Sequence, residues 1–380
     1  MKRIIIITFL ASYLISCHTR SINNEVKSEY NGRYFVDMDS ESTPALNLFF
    51  SEIEVIRLQQ SVGSYLNYPF IKYKIFDSTL YFLDLRRHEI LLFNLEGIFI
   101  KKINHLGNGP GEYNMICDFG INRFSQNLEL LTPQGKLLIY DKTGEHFLEY
   151  INISEFVSAV HNFANLTNDI YVFYSEYAEK KILYYSKKSK SSVNSEYSLP
   201  SFIAYTHFNH YMTPFIMFSD TLRFYEAHNG MIHNFNPEKY IMEDFLQWDF
   251  GKYNFKLEKI PKNESESFYR NIASNIGMKY VTPFIHCVEN DRFIIARTRF
   301  RNKFYTIIYD KKRKQNFAFN LLEEGVQINA EVELNGSFYS CIMLEDISLL
   351  LNNKIIGESR YINLLKNSRE GDLFIIKYKI

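Results

Sequence analysis

From about residue 48 onward, short apolar runs alternate with turn-forming pairs, the pattern of consecutive β-strands. Leu80–Asp84 reads as a strand, Arg86-Arg87-His88 as a turn, Ile90–Asn94 as a second strand, Glu96-Gly97 as a turn and Ile98–Ile103 as a third strand. The next unit repeats this order: Leu128–Leu131, a turn at Gln134-Gly135, Leu137–Asp141, a turn at Thr143-Gly144, then His146–Leu148. Gly97 and Gly144 are offset by 47 residues, and Phe93-Asn94 maps onto Tyr140-Asp141 with the same offset. Aromatic-polar endings return at Tyr185-Ser186, Phe235-Asn236 and Tyr309-Asp310. Units of about 40–50 residues, each of about four strands, predict propeller blades.

Two stretches exceed the period. Between Phe235 and Tyr309 the spacing is 74 residues. Pro261 and Asn263 precede Glu266 there, and Phe268, Ile272 and Ile276 recur before Gly277, which predicts a helical insertion within 251–281. Ile347, Leu350 and Leu351 predict further helix within 344–371, before a last strand over Leu373–Ile380. The strand Ile53–Leu58 has no partner nearby. Pairing it with the C-terminal strands closes the ring and removes an exposed edge. The expected architecture is all-β: a six-bladed β-propeller over residues 47–380 with small helical insertions.

The N-terminus reads as an address. Lys2 and Arg3 precede an apolar stretch, Ile4–Ile15, too short to span a bilayer comfortably. Leu14-Ile15-Ser16-Cys17 has the form of a bacterial lipobox, so residues 1–16 are expected to be a signal peptide and Cys17 the lipidated residue. Residues 17–46 then form a polar tether. With more than one acyl chain the membrane attachment is stable, and since no acidic residue sits directly after Cys17 the outer membrane is the expected location, facing the periplasm or the surface. Cys117, Cys287 and Cys341 remain, an odd number without close spacing, so they read as small buried hydrophobes and not as a disulfide framework.

Lys and Arg number 43, as do Asp and Glu, and this zero net charge argues against a nucleic-acid partner. The runs Lys187–Lys190 and Lys311–Lys314 read as solvated hairpin tips. Aromatic residues make up 16% of the chain with one tryptophan, Trp248, which suits sheet packing better than a sugar-stacking lectin surface.

The most distinctive motif is Gly107-Asn108-Gly109-Pro110-Gly111-Glu112-Tyr113. With the strands from Ser51 onward, it resembles the six-bladed β-propeller lipoprotein family of Gram-negative gut-type bacteria, whose members carry a Gly-x-Gly-Pro-Gly-Glu-Tyr loop after the first blade. The resemblance covers roughly residues 48–380. Arg57 stands where that family tends to have proline. The resemblance implies the fold and the anchor; the further likeness to NHL-type propellers is one of fold only and implies no function.

Gly107, Gly109, Pro110 and Gly111 read as a tight blade-to-blade crossing. Without a following Lys-Ser/Thr, and with Pro110 lacking an N–H, the loop is a poor phosphate cradle. Glu112 and Tyr113 are candidates to line the funnel and contact a sugar or peptide. His207, His210, His228 and His233 fall within 27 residues, a candidate divalent metal site if adjacent strands gather three of them, although spacing three on a strand sends His207 and His210 to opposite faces. No catalytic triad motif, zinc-protease helix or EF-hand loop is present. No cofactor is therefore expected. The favoured reading is a non-catalytic binding or scaffolding propeller for a glycan, peptide or protein; the alternative is an NHL-like lyase or hydrolase acting in the funnel.

Overall fold

The computed structural model describes residues 32–40, 42–157, 159–205, 213–352, 365 and 368–380. Six small sheets are arranged as a six-bladed β-propeller. Strands β1 (Arg33–Phe35) and β2 (Glu52–Arg57) precede the first complete blade, which is built from β3 (Ile71–Phe76), β4 (Thr79–Asp84), β5 (Glu89–Asn94) and β6 (Phe99–Ile103). The second blade holds β7 (Asp118–Ile121), β8 (Leu128–Leu131), β9 (Lys136–Tyr140) and β10 (Phe147–Asn152). The third holds β11 (Asn162–Asn165), β12 (Ile170–Tyr174), β13 (Lys180–Ser186) and β14 (Ser191–Ser198). The fourth holds β15 (Phe215–Phe218), β16 (Thr221–Tyr225), β17 (Met231–Asn236) and β18 (Ile241–Asp249), and the fifth β19 (Phe284–Glu289), β20 (Phe293–Phe300), β21 (Lys303–Asp310) and β22 (Gln315–Phe319). The sixth takes β23 (Val332–Leu334), β24 (Ser337–Met343) and β25 (Leu373–Lys379) from the C-terminal end and β2 as its outermost strand.

The expected closure is present. β2 runs antiparallel to β25 with Glu52 opposite Lys379 and Arg57 opposite Phe374, and the Arg57 guanidinium meets Asp372 at 2.7 Å. The innermost strands β3, β7, β11, β15, β19 and β23 touch one another in a closed cycle around the axis.

The burial pattern explains why the middle strands read as continuous apolar runs. Each blade is sandwiched between two others, so both faces of its middle strands are covered: every residue of β12 is buried, as are Glu89–Phe93 of β5. The outer strand β14, by contrast, has no fully buried residue and a polar sequence. The repeated aromatic-polar pairs end the third strands. Their polar member closes the following turn with its side chain: Asn94 Oδ1 accepts from the Glu96 and Ile98 N–H groups at 3.1 and 2.8 Å, and Asp310 Oδ1 from Lys312 and Arg313 at 3.0 and 2.9 Å. Trp248 is a core residue. It is 1% exposed, stacks on Phe284 with ring centroids 5.9 Å apart and donates to Asn316 Oδ1 at 3.1 Å.

Among the described residues N-terminal to β2, the end of the expected polar tether packs against the ring. β1 adds a fifth strand, parallel, to the outer edge of the fourth blade, with Arg33 opposite Gln247 and Phe35 opposite Asp249. Asp39 then meets Lys252 at 2.7 Å and Arg301 at 3.0 Å, and Phe49 packs on Phe293, Phe317 and Phe319 before β2 begins. Residues from 32 onward therefore strap across the fourth, fifth and sixth blades.

Of the expected helices, α1 (Glu266–Asn275) lies in the fourth-to-fifth crossing, with the Ser265 side chain accepting from the Phe268 N–H at its start. α2 (Leu344–Asn352) follows β24. Because neighbouring strands within a blade are antiparallel, the crossings between blades and the turns between second and third strands share one face. That face carries the glycine loop and both helices.

Candidate functional site: the central channel

The inner strands enclose a cavity of about 540 Å³ on the propeller axis. Its wall changes chemistry around the ring. On the first-blade side Lys72 and Lys74 alternate with Ile71, Tyr73 and Ile75, so one strand sends its two lysines to the side of the second blade and Tyr73 toward the sixth. Lys72 is 8% exposed and its Nζ lies 3.6 Å from Asp118 Oδ1, an ion pair too long for a hydrogen bond. Lys74 donates to the Phe119 carbonyl, its ammonium lying 5.3 Å from the Phe119 ring centroid and 5.8 Å from that of Phe163. Burial lowers its pKa, and Asp118 partly restores it.

Across the ring, β19 supplies His286, β20 supplies Arg297 and the crossing before β23 supplies Asn329 and Glu331. His286 Nε2 is 3.8 Å from Glu331 Oε1. Glu331 accepts from the Cys341 N–H at 3.1 Å and from Asn329 Nδ2 at 2.5 Å, yet burial still holds its carboxyl above the usual range. Burial, then the charge of Arg297, pushes the His286 pKa down to about 4, so the imidazole is neutral at neutral pH.

This shift has a measurable consequence. Between its folded value near 4 and its unfolded value of 6.5, His286 binds a proton only in the unfolded chain, so stability rises with pH across that window. One third of the side chain faces the channel, which reduces the effect to roughly 2 kcal/mol. Glu331, with its raised pKa, acts with the opposite sign, so the comparison must isolate the histidine. Urea titrations at pH 4 and pH 7 are expected to show a smaller stability difference in His286→Gln than in the parent chain; an unchanged difference would remove His286 as its source.

Two buried carboxyl groups are held between blades by contacts that serve the fold. Glu289, fully buried on β19, is held by Arg223 of the fourth blade, with Nη2 donating at 2.9 Å, and by Lys311 at 2.5 Å. Glu129 is buried between the second and third blades, where Asn122, Asn165 and Tyr171 donate to it at 2.9, 2.7 and 2.8 Å.

The residues singled out from sequence lie elsewhere. Gly107–Tyr113 forms the crossing from the first blade to the second, its ends tied by Gly107 N–H to the Tyr113 carbonyl at 3.0 Å and Tyr113 N–H to the His105 carbonyl at 3.1 Å. Glu112 folds back over the loop and accepts from the Gly109 N–H at 2.7 Å; a Cβ on Gly107 would stand 2.0 Å from its Oε2. Gly111 has φ +77°, and a Cβ there would stand 2.4 Å from Phe147 Cγ, so neither backbone nor space admits a side chain. Pro110 is exposed at the bend. Tyr113 is 3% exposed, with its pKa raised to about 12 by burial. Neither Glu112 nor Tyr113 lines the channel, because the crossing lies outside the inner ring and the glutamate is spent on its own loop.

His228 and His233 do come together. Their Nε2 atoms lie 3.2 and 2.9 Å from the two oxygens of Glu226, and His233 Nδ1 lies 3.1 Å from Asp244. Burial lowers the His228 pKa, while Glu226, which burial would raise, is brought below the usual range by the His233 hydrogen bond and the two imidazole charges. His207 and His210 lie outside the described residues, as does Cys17. No group of three or more His, Cys, Asp or Glu side chains among the described residues is placed to hold a metal ion. Cys287 and Cys341 are buried free thiols, and Cys117 is half-buried with its thiol pushed up to about 12 by burial.

Lys72, Lys74, Arg297, Asn329 and Glu331 were not apparent as a set in the sequence. The one local signal is the alternation of lysines with apolar residues over Ile71–Ile75, on a strand where a solvated edge would be unexpected.

Fold and site together define a six-bladed β-propeller with an axial channel lined by charged and apolar side chains. Within that class, the family model described as Domain of unknown function (DUF4934) matches residues 34–372, and the chain belongs to that family. It is similar to the crystal structure of a protein described as exported from Bacteroides fragilis NCTC 9343, at 15% identity and a TM-score of 0.66 over 92% of this chain and 99% of that one. A member of the DUF4221 family from Bacteroides vulgatus ATCC 8482 aligns at 10% identity and a TM-score of 0.54, over 87% of this chain and 97% of that one. At these identities the likeness is one of fold. None of the curated proteins matches this chain.

Proposed function

We propose that the chain is a non-catalytic binding propeller of the cell envelope, anchored through Cys17 to the outer membrane, which receives a glycan, peptide or protein partner at its central channel. The observation that carries this reading is the channel itself. Among the described residues, Lys72 Nζ and Asn329 Oδ1 are enclosed at its wall without a hydrogen bond, Lys72 only approaching Asp118 at 3.6 Å, and the Tyr73 hydroxyl faces Glu331. Such groups are costly to bury unless something pairs them. The crossings outside the inner ring also expose large apolar side chains, among them Val62, Tyr65, Leu106, Met115 and Phe156. A surface of this kind suits contact with a macromolecule.

Two observations support the envelope location. The lipobox-like run ending at Cys17 is followed by a folded domain in which no described helix is long and apolar enough to cross a membrane. One structural neighbour is described as exported. Cys17→Ser is expected to move the protein from the membrane fraction to the soluble fraction without changing its melting temperature; a variant still membrane-bound would refute the lipid anchor.

The binding claim is tested by thermal shift against panels of glycans and peptides, comparing the parent chain with Thr213→Trp. Thr213 is a half-buried loop residue lining the channel, where an indole obstructs entry. A ligand at a hundred times its Kd adds about 2.7 kcal/mol, a shift of a few degrees. The parent chain should show such a shift and Thr213→Trp should lose it. A shift that survives in the variant places the ligand outside the channel.

A further inference from the structure

If the channel is the binding site proposed above, its charges specify more than a generic ligand. On the first-blade wall two ammonium groups, Lys72 and Lys74, face one carboxylate, Asp118. The next carboxyl group, Glu129, is held above the usual range by burial and is occupied by three hydrogen bonds. Lys72 is ion-paired without a hydrogen bond, and Lys74 spends one donor of three on a backbone carbonyl. With Arg123 of the same lining paired to Asp220 at 3.3 Å, this wall has donors to spare and an excess of one positive charge. A monoanion balances it, whereas a dianion meets Asp118 uncompensated.

The facing wall is different. Glu331 and Arg297 offset one another, and His286 is neutral at neutral pH. An ammonium group placed there meets the Arg297 guanidinium. Neutral hydroxyl groups fit it better: Asn329 Oδ1 accepts, the Tyr73 hydroxyl, set against Glu331, accepts, and the imidazole offers one donor and one acceptor. Tyr68, Phe163 and Phe215 supply apolar and aromatic surface between the two walls. We propose that the channel binds an acidic sugar, its single carboxylate taken by Lys72 and Lys74 and its hydroxyl groups by Tyr73, Asn329 and Glu331. Lys72 reaches the carboxylate by turning about its flexible stem away from Asp118.

Isothermal titration calorimetry on the full-length protein in detergent tests this with four probes: D-glucuronate, D-glucose, D-glucose 6-phosphate and L-alanine. Glucuronate is expected to bind at least about tenfold tighter than the other three, the contribution of one charge-assisted hydrogen bond. Lys74→Met should reduce glucuronate affinity by about tenfold to a hundredfold and the weak binding of glucose by less. Asp118→Asn keeps an acceptor for the Phe163 N–H, which Asp118 Oδ2 now receives at 3.2 Å, and adds one unit of positive charge. It should shift preference toward glucose 6-phosphate. Near-ultraviolet circular dichroism of both variants establishes that the fold is kept.

Glucuronate binding no tighter than glucose, or indifferent to Lys74→Met, overturns the assignment of an acidic sugar. Tighter binding of alanine overturns it in favour of a zwitterion. Absence of binding by all four probes also overturns it. In each of these cases the channel reading is judged separately, by whether Thr213→Trp abolishes the thermal shift of whichever glycan or peptide stabilises the parent chain.

Discussion

A chain lacking residues 1–57 is expected to be recovered as aggregate, whereas one lacking only residues 1–45 folds with a lowered melting temperature. The difference is β2. Removing it strips the sixth blade of its outer strand and exposes the partners of Ile53 and Val55 that are now covered; both residues are 8% exposed, and the buried Phe49 and Phe50 are lost with them. Each buried aliphatic side chain contributes about 1.5–3 kcal/mol, so the loss approaches the roughly 5–15 kcal/mol that typically separates folded from unfolded states. The ladder to β25 and the Arg57–Asp372 ion pair go with it. What remains at the edge is β25, whose sequence Leu373-Phe374-Ile375-Ile376 is apolar and fully buried in the intact blade. An uncovered strand of that kind templates association. The longer chain keeps β2 together with Phe49 and Phe50, and loses the strap of β1 and Asp39. Soluble yield and far-ultraviolet circular dichroism distinguish the two; a soluble, cooperatively melting chain without residues 1–57 would show that the ring does not depend on its N-terminal strand.

The second large effect is expected at Glu289. Glu289→Ala leaves Arg223, only 7% exposed, without the carboxylate that neutralises it, with its guanidinium 3.9 Å from the Phe245 ring. Breaking a buried pair from one side costs about 3–5 kcal/mol. Replacing both partners by apolar residues, Arg223→Met with Glu289→Leu, removes the orphaned charge and is expected to recover most of that loss. Urea denaturation of the two singles and the double reads the coupling directly. Additive single effects would mean that Lys311, 2.5 Å from Glu289, carries the pair instead.

Much of this architecture is written locally. The aromatic-polar pairs ending the third strands could be read because each Asn or Asp must close its own turn, which fixes both residue type and period. Ile53–Leu58 could be assigned to the far end of the chain because a buried-type strand without a neighbour needs one. Other features are not local. The strap at Arg33–Val36 sits in a polar stretch, and its three-residue strand pairs parallel with residues more than two hundred positions away. The glycines of the Gly107–Gly111 loop were legible as a crossing and accommodate Glu112 and Phe147 there, whereas the position of Glu112 and Tyr113 relative to the channel was not legible. The channel was the least legible part. Lys72, Lys74, His286, Arg297 and Glu331 come from three blades, and only the closing of the ring makes them one site. No spacing rule in a propeller sequence announces which inner-strand residues will meet on the axis.

Whether this propeller binds its ligand on the axis is decided by a crystal structure with whichever compound most raises the melting temperature of the parent chain. Ligand density is expected inside the channel, against Lys74 on one wall and Glu331 on the other. Density confined to the exposed rim or to an outer blade edge would contradict binding on the axis.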